Sequence, residues 1–205
     1  MLALLNAAGR DLMCSHEWST LVATASITVA TASATYSLPT DYDRMVSDTG
    51  WDRTNSFPMM GNITPQRHQY WLSSDVTAPT TRKEFRVKLL PGGVTVTIHP
   101  TPSAAESLHF LYIRNTWVVG SSSNLAEFAA DTDTTVFKPQ LMVKELKWRF
   151  RAAKGLVATD LVLERNMLYD ASVAADLGPG AIDMAGRGPF DSLDYVNVPD
   201  SNWSL

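Results

Sequence analysis

The chain has 205 residues, 45% hydrophobic and 19% charged, enough for one substantial core with an appendage and too few for two large independent ones. No stretch reaches the roughly 18 apolar residues of a membrane helix, and the apolar start at Met1 to Arg10 lacks a basic leader, so neither a spanning segment nor a signal peptide is expected. The net charge of -4 resides in residues 176–205, where Asp176, Asp183, Asp191, Asp194 and Asp200 face only Arg187; a neutral body with an acidic arm is not the profile of a protein that coats DNA.

Leu2, Leu5, Leu12 and Met13 recur in a helical pattern, with Asn6, Arg10 and Asp11 able to reach solvent, which predicts a first helix with no domain ahead of it. Cys14, the single cysteine, excludes an internal disulfide and fits a reducing compartment. From Thr20 the period becomes two: Ala23, Ala25, Ile27 and Val29 alternate with hydroxyl residues, and Tyr36 and Leu38 resume the alternation until Pro39, so a hairpin-like pair is expected. Residues 41–62 are irregular but carry Tyr42, Met45, Trp51, Phe57 and Met59. Burying each such side chain is worth about 1.5 to 3 kcal/mol, so this loop should pack on the body or on a neighbour.

Thr64-Pro65 is a hydroxyl cap followed by proline at the first helical position, predicting a short helix to Ser73 with Tyr70 and Trp71 turned inward. Phe85, Val87 and Leu89, the turn Pro91-Gly92-Gly93, then Val94, Val96 and Ile98 form the clearest hairpin. Leu108 to Ile113 is apolar on both faces and reads as a central strand, with Trp117 to Val119 continuing its sheet.

Pro139 opens a helix in which Lys144, Lys147, Arg151 and Lys154 fill one arc about 80° wide. Glu145 and Arg149, on the mostly apolar side, are expected to bond to each other or across an interface, because an unpaired charge there would be costly. After Gly155 a second helix, Thr159 to Ala175, sets Leu161, Leu168 and Ala175 on one seam, giving a helical hairpin packed against the first helix. Beyond Asp176, glycines and prolines preclude regular structure, yet Phe190, Tyr195 and Trp203 are spaced through the segment. They read as anchors for other subunits, with Asp191 and Asp194 beside them.

Chemistry finds little to stand on. Cys14 and His16 lack a cluster that would complete a metal site. His99 and His109 flank a hydroxyl-rich loop without a nucleophile elbow. Asp131-Thr132-Asp133 begins like a calcium loop but has Val136 and Met142 where glycine and the bidentate acid belong. No nucleotide-binding glycine motif occurs. No catalytic residue, cofactor or metal is expected. Arg82, Lys83, Arg86 and Lys88, and the basic helical arc, are either solvated faces or contacts for DNA phosphates or an acidic protein surface.

The run Tyr36 to Arg44 (YSLPTDYDR), Ile63-Thr64-Pro65, Leu108 to Val118 (LHFLYIRNTWV), Asp131 to Phe137 (DTDTTVF) and Leu141 to Gly155 (LMVKELKWRFRAAKG), in that order, resemble the head-to-tail adaptor, or connector, proteins of tailed bacteriophages and the tail tubular proteins of short-tailed ones. The resemblance covers residues 1–175 and implies a virion protein of the head–tail interface, assembled in the host cytoplasm. It implies a ring, commonly of twelve copies, below the portal, followed by a downstream tail or nozzle protein, with DNA passing transiently through the channel and no membrane partner. The expected fold is α+β: a helical bundle or hairpin (1–19 and 137–175), an inserted antiparallel β-rich domain (20–136, with a short helix near 65–73), and an extended C-terminal arm (176–205). The competing readings are a cell-wall-degrading tail hydrolase and a different ring, such as a head-completion or tail-terminator protein.

Overall fold

The computed structural model describes residues 1–30, 33–73 and 82–177. Helix α1 (Leu2–Ser15) ends where His16 turns extended, and the Trp18 indole N–H donates to the Leu12 carbonyl at 2.7 Å, folding the exit back over the last turn. A short 3-10 turn (Ser19–Leu21) leads into β1 (Val22–Val29).

Two sheets face each other next. β1 pairs along its whole length with β8 (Glu106–Arg114), from Val22↔Ile113 to Val29↔Glu106. The other edge of β8 is shared by β3 (Tyr42–Met45) and β4 (Trp51–Asp52), and β5 (Phe57–Pro58) extends the sheet beyond β4. The second sheet orders β2 (Thr35–Ser37), β7 (Gly93–His99) and β6 (Glu84–Leu90). β6 and β7 are the expected hairpin, closed by Pro91-Gly92 with Gly93 at φ 134°, a conformation side chains rarely adopt. Ala25, Val29, Leu108, Phe110 and Tyr112 from one sheet meet Phe85, Val96 and Ile98 from the other, all buried, which makes a sandwich core from alternate residues. Every pairing among these strands is antiparallel.

A second core lies where the helices meet this sandwich. Helix α3 (Pro139–Ala153) and helix α4 (Thr159–Leu177) form the predicted hairpin, turned at Gly155 (φ 69°), where the Leu156 N–H reaches back to the Arg151 carbonyl. Leu12, Met13, Trp18, Leu21, Phe137, Leu141 and Met142 pack there around the fully buried Trp117. β8 serves both cores: Leu108, Phe110 and Tyr112 point into the sandwich while Ile113, one residue out of step, points into the helical core. The architecture is thus α+β, with an antiparallel β region inserted between the first helix and the helical hairpin.

Several expectations change. β1 and β2 are not a hairpin: the eight-residue β1 finds its length-matched partner in β8, and β2 crosses to the other sheet to pair with β7. The irregular loop is three short strands that pack on the body, as its apolar content required. β9 (Val118–Val119) does not continue the β8 sheet. The chain turns after Arg114, the Trp117 ring enters the helical core, and β9 sits between β10 (Asn124–Leu125) and β11 (Thr134–Thr135) in a small third sheet. Helix α2 (Pro65–Ser73) begins with the predicted cap, the Arg67 N–H donating to Thr64 Oγ1. Only Trp71 turns inward, stacking on His99 at 4.3 Å, whereas Tyr70 is 59% exposed because this nine-residue helix lies on the sheet edge by one face. On α4, Ala175 is exposed and Ser172 takes the buried seam position, its hydroxyl donating to the Leu168 carbonyl.

Gly9 lies so close to Trp117 that a Cβ there would stand 2.0 Å from the indole. Alanine in place of a helical glycine ordinarily stabilises by about 1 kcal/mol, so the sign of the Gly9→Ala change isolates the packing. The expected result in urea titration is a net loss of about 1 to 3 kcal/mol; a gain would mean the ring and helix are not in contact.

Candidate docking surfaces

Glu145 is fully buried on α3 and carries a charge, so it needs partners. It has two. Arg149, one turn on, donates through Nε at 2.9 Å and Nη2 at 2.7 Å to one carboxylate oxygen, and Arg165 on α4 donates through Nε to the other. Arg149 also binds Asp11 on α1. The chain Asp11–Arg149–Glu145–Arg165 therefore ties all three long helices. Burial works against the Arg149 charge, but its bonds to Glu145 and Asp11 outweigh this and push its pKa up. The expected Glu145–Arg149 pair is present. Arg165 was not foreseen, although it lies ten residues after Gly155 as Glu145 lies ten before it, equal spacing that a hairpin brings face to face.

A second tie fixes the far end of α4. The Ser19 N–H donates to Asp176 Oδ2 at 2.9 Å, the Ser19 hydroxyl donates to Oδ1, and His16 Nε2 lies 3.2 Å from Oδ2. The Tyr169 hydroxyl donates to the Ser15 carbonyl at 3.0 Å. Burial pushes the Asp176 carboxyl up, but the Ser19 donors and His16 outweigh it and hold the carboxyl below the usual range.

The outward face of the helical hairpin is different in character. Lys144 of the predicted basic arc pairs with Glu164 on α4, which that bond and charge hold below the usual carboxylate range. Lys147 and Arg151 are exposed, and the exposed Lys154 lies 5.9 Å over the exposed Phe150 ring. Beside this arc runs an open groove of about 660 Å³ between α3 and α4, lined by Pro139, Val143, Met167, Leu168 and Ala171. Met167 is 76% exposed, and Leu156 and Val157 at the turn are exposed as well, Val157 at 82%. An apolar patch of this kind on a charged helical pair marks an interaction site.

The other basic group is dispersed. Lys83 is buried, bound to Asp52 at 3.3 Å and to Glu106, so it neutralises the sandwich interior and is no contact for phosphates. Burial pushes the Asp52 carboxyl up, yet the Asn55 bonds and the Lys83 ammonium outweigh it and set it below its ordinary value. Arg82 and Lys88 are exposed and Arg86 half-buried along β6. Phe190, Asp191, Asp194, Tyr195 and Trp203 lie outside the described residues.

The sequence's weak chemical candidates resolve into structure. Ser107 Oγ lies 2.8 Å from His109 Nε2, but the buried Nδ1 has no hydrogen-bond partner, so no acid orients the ring as a triad requires. His16 binds Asp176 while Cys14 is exposed. Asp133 accepts the Ala129 and Ala130 N–H groups, and these bonds hold its carboxyl below the usual range, so this loop is a turn closed on itself. Among the described residues no three His, Cys, Asp or Glu side chains come together as a metal site.

Two measurements follow. Glu145→Ala leaves two arginines facing a buried gap and should cost about 3 kcal/mol or more, while replacing Glu145, Arg149 and Arg165 together by Met and Leu should recover most of it, read from denaturant midpoints. Asp176→Asn removes a carboxylate whose folded pKa is depressed. Wild type should be the more stable above pH about 4, the ordinary range of aspartate, and that advantage should vanish as pH falls through the folded value, read from thermal unfolding between pH 7 and 2.

A comparison with curated proteins finds no match. A family model described as SU10 adaptor protein matches residues 1–178, the full span of both cores and both ties. The chain accordingly belongs to the SU10 adaptor protein family and is a virion structural protein with a head-to-tail adaptor role.

Proposed function

We propose that the chain works as a closed ring, dodecameric as its resemblance to connector proteins implies, seated below the portal, joining capsid to tail and surrounding the DNA channel. One observation carries this reading: an adaptor-family chain leaves large apolar side chains on the outside of its helical hairpin, Val143, Leu163 and Met167 on the faces and Leu156 and Val157 at the turn. Left in water they are a liability; covered by copies and neighbours they are adhesive. A ring repeats one heterologous contact until it closes, so modest contacts sum to a firm collar. In this reading residues 1–19 and 137–175 form the helical part, 20–136 the β part, and 176–205 the arm that engages the portal or neighbouring copies. Phe190, Tyr195 and Trp203 are its anchors and Asp191 and Asp194 its charged contacts. Lys144, Lys147, Arg151 and Lys154 line a partner-facing or channel-facing surface, and a downstream tail or nozzle protein seats on the ring's far side.

Averaged electron micrographs of particles carrying a labelled chain test the placement: density at the capsid–tail vertex is expected, and density at the tail end or elsewhere along the tail would point instead to a terminator or completion ring. Deleting residues 186–205 should leave the circular dichroism of the body unchanged and abolish capture of the chain by purified portal. Unchanged capture would remove the arm from the attachment.

A further inference from the structure

The groove between α3 and α4 has a floor and a wall of opposite kinds. Val143, Met167, Leu168 and Ala171 form the apolar floor. Up the same stripe of α3, Lys144 is bonded to Glu164, whose charge Lys147 also feels, while Arg151 and Lys154 form no ion pair with a carboxylate among the described residues. A ligand that fits both must bring large apolar groups with acids set among them. This chain carries such a segment. In Phe190-Asp191-Ser192-Leu193-Asp194-Tyr195 two aromatics bracket two acids, and residues 178–205 as a whole carry four aspartates against Arg187. The lengths agree too: five residues of extended chain reach about 16 Å, and Pro139 to Arg151 along α3 spans about 18 Å.

We propose that this groove receives the 190–195 segment of a neighbouring copy. The inference rests on the ring reading above and names what the basic arc faces: an acidic, aromatic stretch of another copy of this chain rather than nucleic-acid phosphates. Two observations favour a neighbour over the chain's own segment. Asp176 is held by Ser19 and His16 on the side of α4 turned toward α1, about 140° around the helix from Ala171 in the groove. Asp176, the residue nearest the segment whose side-chain contacts are described, therefore lies away from the groove. Each copy also owns one groove and one such segment, the donor and acceptor that a head-to-tail interface needs; a copy that filled its own groove would have neither to offer.

The test uses particles built with the full-length chain carrying benzoylphenylalanine, a photoreactive analogue, in place of Phe190. Irradiation should give a product of twice the chain's mass, with peptide mapping placing the second attachment within residues 139–171. Met167→Asp together with Arg151→Glu in the same chain should lower its yield per incorporated copy about tenfold or more. The analogue at Tyr195 is the second variant, should the first not be incorporated. Products at single-chain mass, products joined to a different virion protein, or no product from either position would overturn the proposal. Averaged images of the same particles keep the two readings apart. A chain at the vertex without the double-mass product sinks this contact alone, and a chain absent from the vertex sinks the ring reading with it.

Discussion

One buried carboxylate holds the helical part together. Glu145 has no access to water and sits where α1, α3 and α4 converge, so its charge is tolerable only while both arginines reach it. That requirement makes the network directional. Leu–Leu packing between helices can slide by a turn at small cost, whereas a carboxylate that must meet guanidinium groups from its own helix and from another accepts one register. The outward face of the hairpin inherits that precision: Val143 and Lys144 stand opposite Met167 and Glu164 because Glu145 stands opposite Arg165.

The two cores divide the labour. The sandwich is closed on itself, with its ionic load neutralised internally by Lys83 between Asp52 and Glu106. The helical core is open on its far side and ends in exposed apolar groups. β8 is the shared member, giving Leu108, Phe110 and Tyr112 to the sandwich and Ile113 to the helical core, so neither core can shift without moving the strand that the other packs on. For an adaptor, which must hold unlike neighbours at a set separation, stiffness of this kind between its two halves is the useful property.

Much of this was legible in the residues, where a local rule sufficed. The β6–β7 hairpin followed from alternation about Pro91-Gly92, α2 from Thr64-Pro65, the helical hairpin from Pro139 and Gly155, and the Glu145–Arg149 pair from its spacing. What escaped was long-range. Alternation told that residues 22–29 form a strand, not that their partner lies 77 to 91 residues on, since pairing is decided by which edge remains open after every strand has folded. Trp117 read as strand because aromatic residues favour strands, and was claimed instead by the helical core. Lys83 read as a surface cation because Asp52 and Glu106 are distant in sequence. The groove was hidden for another reason: Val143 and Met167 are apolar residues of two amphipathic helices, and only the arrangement of three helices reveals which apolar positions are left over.

The grip of Ser19 and His16 on Asp176 has a mechanical meaning. A tug on the chain beyond Leu177 does not peel α4 away from a loose end, one turn after another. The force enters at the joint between α1 and β1 and runs lengthwise along both helices, so that several bonds must shear at once.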